Sequence, residues 1–153
     1  MLNINIYTEN NNASAEVKNE IIDFLFQNLE QYGDPRNAIE KSIDYSFGLN
    51  QKIGGIVLSA IDSETQKIAG AVVLNKTGMN GYIPENILVY IATDKNLRGK
   101  GVGKQLMQKA IEVTNGDIAL HCEPDNPAKF LYEKLCRKGI VYGKLSFEVF
   151  RIC

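Results

Sequence analysis

The chain has 153 residues, with 17 Lys/Arg against 18 Asp/Glu, 44% hydrophobic and 23% charged residues, and these values exclude disordered, fibrous and collagen-like chains. A net charge of −1 argues against wholesale binding of nucleic acid, and the apolar run from Ile68 to Leu74 is too short to span a membrane. Three cysteines (Cys122, Cys136, Cys153) without any Cys-x-x-Cys spacing, beside the single His121, predict reduced thiols and no metal site.

The start of the chain lacks the charged end and apolar core of a signal peptide, so a cytoplasmic location is expected. From Leu2 to Tyr7 the residues alternate loosely and suit a strand. Between Ser14 and Tyr32, Val17, Ile21, Phe24/Leu25 and Leu29 recur at helical spacing, with Gly33 as the stop. Asp34-Pro35 reads as an N-cap and first-turn pair for a second helix, whose stripe is Ile39, Ile43 and Phe47. Two β-branched runs, residues 56–61 and 67–74, flank the polar turn 62–66 and predict a hairpin. A Gly- and Pro-containing loop, residues 76–84, leads into a buried strand over 85–93.

The sequence Arg98-Gly99-Lys100-Gly101-Val102-Gly103-Lys104 then opens a helix running to about Thr114, with Val102, Leu106, Ala110 and Val113 on one face. A short strand (117–122), a helix from about Asn126 to Lys138 and strand material from Ile140 to Ile152 complete the chain. The order is a mixed sheet covered by helices, in one domain spanning residues 1–153. Charge is distributed unevenly. Residues 1–90 hold 6 Lys/Arg and 11 Asp/Glu, whereas residues 91–153 hold 11 and 7, so the glycine stretch lies in the basic part.

A strand running into a helix exposes unpaired first-turn N–H groups at the positive end of the helix dipole. Glycines there leave room for an anion, and phosphate is the natural guest. Two familiar phosphate cradles fail on the residues. Read as a P-loop, the stretch has Arg98 at the first glycine position and Gln105 in place of the magnesium-binding hydroxyl. Read as a dinucleotide fingerprint, it has Lys104 or Leu106 at the last glycine.

A third pattern, Gln/Arg-x-x-Gly-x-Gly/Ala, is met by Arg98 to Gly103. With the preceding strand and the later segment Asn126-Pro127-Ala128-Lys129-Phe130-Leu131-Tyr132, it resembles the acetyl-coenzyme-A site of the GNAT superfamily of N-acetyltransferases. The resemblance covers about residues 54–142. It implies an α+β fold, with a central mixed, mainly antiparallel twisted sheet flanked by helices.

It also implies direct transfer of acetyl from acetyl-coenzyme A to a primary amine. Arg98, Gly99, Lys100, Gly101, Val102, Gly103 and Lys104 would hold the pyrophosphate, while Ile91, Ala92, Thr93 and Asn126 would hold the pantetheine arm. Tyr132 would protonate the leaving sulfur. Glu85 is the first candidate for the base by position, with Glu123, Asp125 and His121 as alternatives. Implied partners are acetyl-coenzyme A and an amine acceptor, with a homodimer also in view and neither nucleic acid nor membrane. A non-catalytic acyl-coenzyme-A-binding regulatory module is the alternative function. Where members often carry Gly-Phe after the tyrosine helix, this chain has Cys136-Arg137-Lys138-Gly139.

Overall fold

The computed structural model describes residues 1–123, 125–135 and 148–152. The expected extension of the last helix to Lys138, and the start of the terminal strand at Ile140, lie outside these residues.

Six strands form one sheet: β1 (Leu2–Thr8), β2 (Gly55–Asp62), β3 (Ile68–Lys76), β4 (Asn86–Thr93), β5 (Ile118–Cys122) and β6 (Glu148–Ile152). They lie side by side in chain order. Every neighbouring pair is antiparallel except β4 and β5, which run parallel. Among the described residues, four α-helices accompany them: α1 (Ala15–Asn28), α2 (Arg36–Ser46), α3 (Val102–Val113) and α4 (Lys129–Leu135). The α+β architecture inferred from the sequence is therefore the one observed.

Strands β2 and β3 are apolar in nearly every position because both of their faces are covered. Val57, Ala71 and Val73 pack with Ile21, Leu25, Ile39 and Ile43 of α1 and α2. Leu58, Val72 and Leu74 pack on the other face with Leu106, Met107 and Ala110 of α3. Successive side chains of a strand point to opposite faces, so a strand between two helical layers needs apolar residues at both parities.

The helix ends depart from expectation in two places. Ser14 caps α1 as its position suggests, its hydroxyl accepting from the Val17 N–H. The helix stops at Asn28, however, and a 3-10 turn over Glu30–Tyr32 follows. Glu30 takes φ +54°, and Gly33, in extended conformation, is the C-cap of this 3-10 turn rather than of α1. At α2 the N-cap is Pro35, with no side-chain capping bond. The Asp34 carboxylate is engaged elsewhere: the Tyr90 hydroxyl donates to it.

Two buried positions give opposite expectations for stability. A Cβ on Gly55 would come within 2.0 Å of the Leu74 carbonyl oxygen, an atom of the neighbouring backbone. Gly55→Ala is expected to destabilise by about 3 kcal/mol, the upper end of ordinary overpacking. Ser59 is buried in β2, and its hydroxyl lacks a hydrogen-bond partner among the described residues. Ser59→Ala removes an unmet polar group, so it should be neutral or stabilising by up to about 1 kcal/mol. Urea unfolding midpoints at constant m-value check both.

Candidate active site

The parallel pairing of β4 with β5 covers only Asn86, Ile87 and Leu88 against Ile118, Ala119 and Leu120. Side chains fasten the strands together at that end. The Asn86 amide donates to the carbonyl oxygens of Asn115 (2.7 Å) and Asp117 (3.3 Å), and Glu85 Oε2 accepts from the Asp117 N–H at 2.6 Å. Past Leu88 the pairing stops. There β4 carries a bulge: Val73 faces Tyr90 and Leu74 faces Leu88, leaving Val89 as the extra residue. The inserted residue reverses the alternation of faces. Leu88 belongs to the core beneath α3, whereas Tyr90 belongs to the core beneath α1 and α2. Beyond the bulge β4 stays paired to β3 on one side, and its other edge opens into a cavity of about 540 Å³.

Ile91, Ala92 and Thr93 form one wall of this cavity. The loop that follows closes one end. Asp94 N–H donates to the Ala69 carbonyl, and the Asp94 carboxylate caps a short 3-10 turn by accepting from Asn96 N–H. Gly99 and Gly101 both take φ +82°, and a Cβ on either would meet nothing within 4 Å. Glycine serves the backbone conformation at these two positions, rather than clearing a crowded contact. Gly103 differs. It lies in the first turn of α3, where a Cβ would make ordinary contacts with Leu131 and Thr93.

Gly101 is the N-cap of α3 and supplies no capping side chain. The first-turn N–H groups, left without partners by the helix, thus face the cavity with the positive end of the dipole behind them. Lys104 lines the same space.

Arg98 also lines the cavity, and its guanidinium is tied sideways to the end of α1. It donates to the Asn28 carbonyl at 3.1 Å and lies 3.7 Å from the Glu30 carboxylate. Lys95 reaches the same carboxylate at 3.3 Å. These links bring Asn28, Leu29, Glu30, Gln31 and Tyr32 into the cavity wall, a contribution the sequence did not signal. Such contacts join residues about seventy positions apart. Glu30 takes a left-handed backbone, but so do Asn50, Gln51 and Gln66 away from the cavity, so no local feature of the sequence marks this segment.

On the opposite wall, Asn126 Oδ1 accepts from the Ala128 N–H at 2.9 Å and so fixes the approach to α4. Tyr132, on α4, is 4% exposed and lines the cavity beside Leu131. Burial pushes its phenol well above the ordinary tyrosine value, and the nearby Cys122 and Glu123 push in the same direction. Tyr90 is also raised, by burial first and then by its hydrogen bond to Asp34 and that group's charge.

Of the residues singled out from the sequence, Tyr132, Ile91, Ala92, Thr93, Arg98, Gly99, Gly101, Val102, Gly103, Lys104 and Asn126 all border this one cavity. Lys100 and Glu85 do not. Glu85 adjoins the first residue of β4, at the far end of the strand from Thr93. Its carboxylate is engaged by the Asp117 N–H, which also holds its pKa below the usual value. Glu85, the first candidate for the base by position, is thus outside the cavity lining, with its carboxylate engaged between β4 and β5.

The acetyltransferase (GNAT) family model matches residues 19–136. The chain belongs to this family. It is accordingly an acyltransferase of the family that uses acetyl-coenzyme A. Among solved structures, a protein of Pyrococcus horikoshii OT3 is 23% identical, with 98% of each chain covered and a TM-score of 0.67. A GNAT-family acetyltransferase of Staphylococcus aureus Mu50 is 20% identical over 98% of each chain, with a TM-score of 0.66. The NatC complex, solved with a Gag peptide and coenzyme A, matches at 19% identity and a TM-score of 0.67, covering 99% of this chain and 96% of that one. These likenesses establish the fold. No curated protein sequence matches the chain.

In this GNAT protein the three loop glycines should separate by mechanism in the ligand-free state. Gly99→Ala and Gly101→Ala should each cost about 1 kcal/mol, since L-residues disfavour the left-handed region. Gly103→Ala should stabilise by about 0.5 kcal/mol through helix propensity. Chemical denaturation of the three variants distinguishes the two effects.

Proposed function

We propose that the cavity seats acetyl-coenzyme A and that the chain, as a single catalytic domain, transfers the acetyl group to a primary amine. The observation that carries this reading is the convergence of three features on one cavity: the open edge of β4, the uncapped first turn of α3 and the buried Tyr132. The α3 turn offers N–H donors and positive potential to the pyrophosphate, with Lys104 adding charge. The edge of β4 beyond Val89 offers backbone groups to the amides of the pantetheine arm, as a neighbouring strand would. That the NatC complex, of similar fold, was solved with coenzyme A supports coenzyme A as the ligand.

From Thr93 back to Val89, four strand residues span about 13 Å at the usual rise. The thioester would then lie near the bulge, between the two faces of the sheet. An amine nitrogen attacks the carbonyl carbon, a C–N bond forms, and the C–S bond breaks. Tyr132 donates its proton to the departing sulfur and regains one from solvent, while the amine releases its own proton. A backbone N–H of β4 directed at the carbonyl oxygen would stabilise the intermediate, a role worth about 3 kcal/mol where one such donor has been removed. Glu85 has no part in this scheme.

The raised phenol keeps Tyr132 protonated across neutral pH, the form a general acid needs. Its protonated form is present below the ordinary tyrosine pKa and disappears only as pH rises through the higher folded value. Loss of this acid should therefore cause no fall in kcat below about pH 10. Tyr132→Phe should reduce kcat by about 10²- to 10⁴-fold while leaving coenzyme A affinity unchanged. Thiol release with a panel of amines, alongside calorimetric titration of coenzyme A, checks both. Binding without turnover, insensitive to Tyr132→Phe, would indicate a regulatory acyl-coenzyme-A module instead. Failure to bind coenzyme A would refute the reading.

A further inference from the structure

We infer that Asp34 is the acceptor-recognition residue: its carboxylate takes a second positive charge on the amine substrate, so that the enzyme selects acceptors with two or more cationic groups. This inference rests on the coenzyme A reading above and adds a substrate class to it.

The first observation is that Asp34 takes no part in capping. It stands one position before Pro35, the N-cap of α2, and α2 has no side-chain capping bond. Ser14 and Asp94 do perform such capping in this chain. Asp34 is held instead by the hydroxyl of Tyr90, a buried residue of β4 that donates to Asp34 Oδ2. Tyr90 faces α1 and α2 because the Val89 bulge turns it there, one residue past the extra position where β4 leaves β5. The phenol thus fixes the carboxylate above the point where the strands part.

The second observation concerns charge. The nearest acids on either side in the chain are compensated. Glu30 lies within 4 Å of Lys95 and Arg98, and Glu40 within 4 Å of Lys18. Asp34 is held by a neutral phenol. It makes no ion pair among the described residues, and its Oδ1 accepts no hydrogen bond among them. The residue is exposed to solvent. Its Oδ1 is therefore available to a ligand, in a half of the chain that already carries an acidic excess.

The third observation is position. Glu30, Gln31 and Tyr32 line the cavity, and Asp34 follows two residues on in the chain, outside the lining. Tyr132 belongs to the core on the α3 side, whereas Tyr90 presents Asp34 on the α1 and α2 side. An acceptor approaching from the latter side would put its reacting nitrogen in the cavity, opposite the proton donor. A second ammonium group on that acceptor, outside the cavity, would meet Asp34 Oδ1. Binding the remote charge, rather than the reacting nitrogen, leaves the latter free to lose its proton and attack.

The test begins with titration of the protein with coenzyme A, followed by calorimetric titration of the loaded protein with diaminobutane and with n-butylamine, which differ by one cationic group. Wild type should prefer the diamine by about tenfold, the lower range for a hydrogen bond to a charged group, and Asp34→Asn should bring the two amines to within about twofold. Asp34→Glu, which restores the charge, should recover most of the preference. Coenzyme A affinity should be the same in all three proteins, which also shows that the variants are folded. Equal binding of the two amines by wild type, absence of saturable amine binding, or an undiminished preference in Asp34→Asn would overturn the assignment of Asp34 while leaving the cofactor reading intact. Absence of coenzyme A binding in wild type would overturn both.

Discussion

The candidate site depends on one constraint, the brevity of the parallel pairing between β4 and β5. Three residue pairs join the strands, and the clips from Glu85 and Asn86 hold that end closed. The Val89 bulge then ends the regular alternation of β4, and the strands separate. A sheet edge left open in a core would normally be costly, because buried N–H and C=O groups need partners. Here the open edge adjoins a cavity of about 540 Å³, and in the proposed reading the amides of the ligand would replace the missing strand. The cavity is thus a consequence of the sheet's own hydrogen-bond arithmetic.

The surrounding elements are arranged about that gap. The end of β4 passes through the capped turn at Asp94 and two left-handed glycines directly into α3, which delivers unpaired N–H groups at one end of the opening. Asn126 sets the approach to α4, which carries Tyr132 on the opposite wall. The end of α1 completes the enclosure. It is tied by Asn28 and Glu30 to the glycine loop, and by the Tyr32 hydroxyl, which donates to the Asp125 carbonyl, to the segment before α4. Both loops that border the opening are therefore linked through one short segment of chain.

Much of this was legible from residues alone. Helical stripes such as Ile39, Ile43 and Phe47, and the doubly apolar β2 and β3, follow from local periodicity, and their order gave the layered α+β architecture. The glycine loop was legible because its backbone requirement is local: two left-handed positions and a helix start within a few residues. What escaped was long-range or directional. Arg98 reads as a phosphate ligand in sequence, yet its guanidinium also reaches across to α1. Glu85 reads as a candidate base in sequence, yet its carboxylate is engaged by the Asp117 N–H and lies outside the cavity lining. Asp34 looks like a helix cap in sequence, but Pro35 is the N-cap and the Asp34 carboxylate accepts from Tyr90, which the bulge turns toward it. Bulges leave no dependable mark in a sequence, since one extra residue in a strand resembles any other.

The most direct test of the open edge is amide hydrogen exchange with and without coenzyme A. Protection should appear along β4 beyond the bulge, at residues 89–93, and in the first turn of α3, at residues 102–104, with little change at residues 86–88, already paired to β5. Protection confined to other segments, or no change along β4, would contradict the idea that the ligand takes the place of a strand.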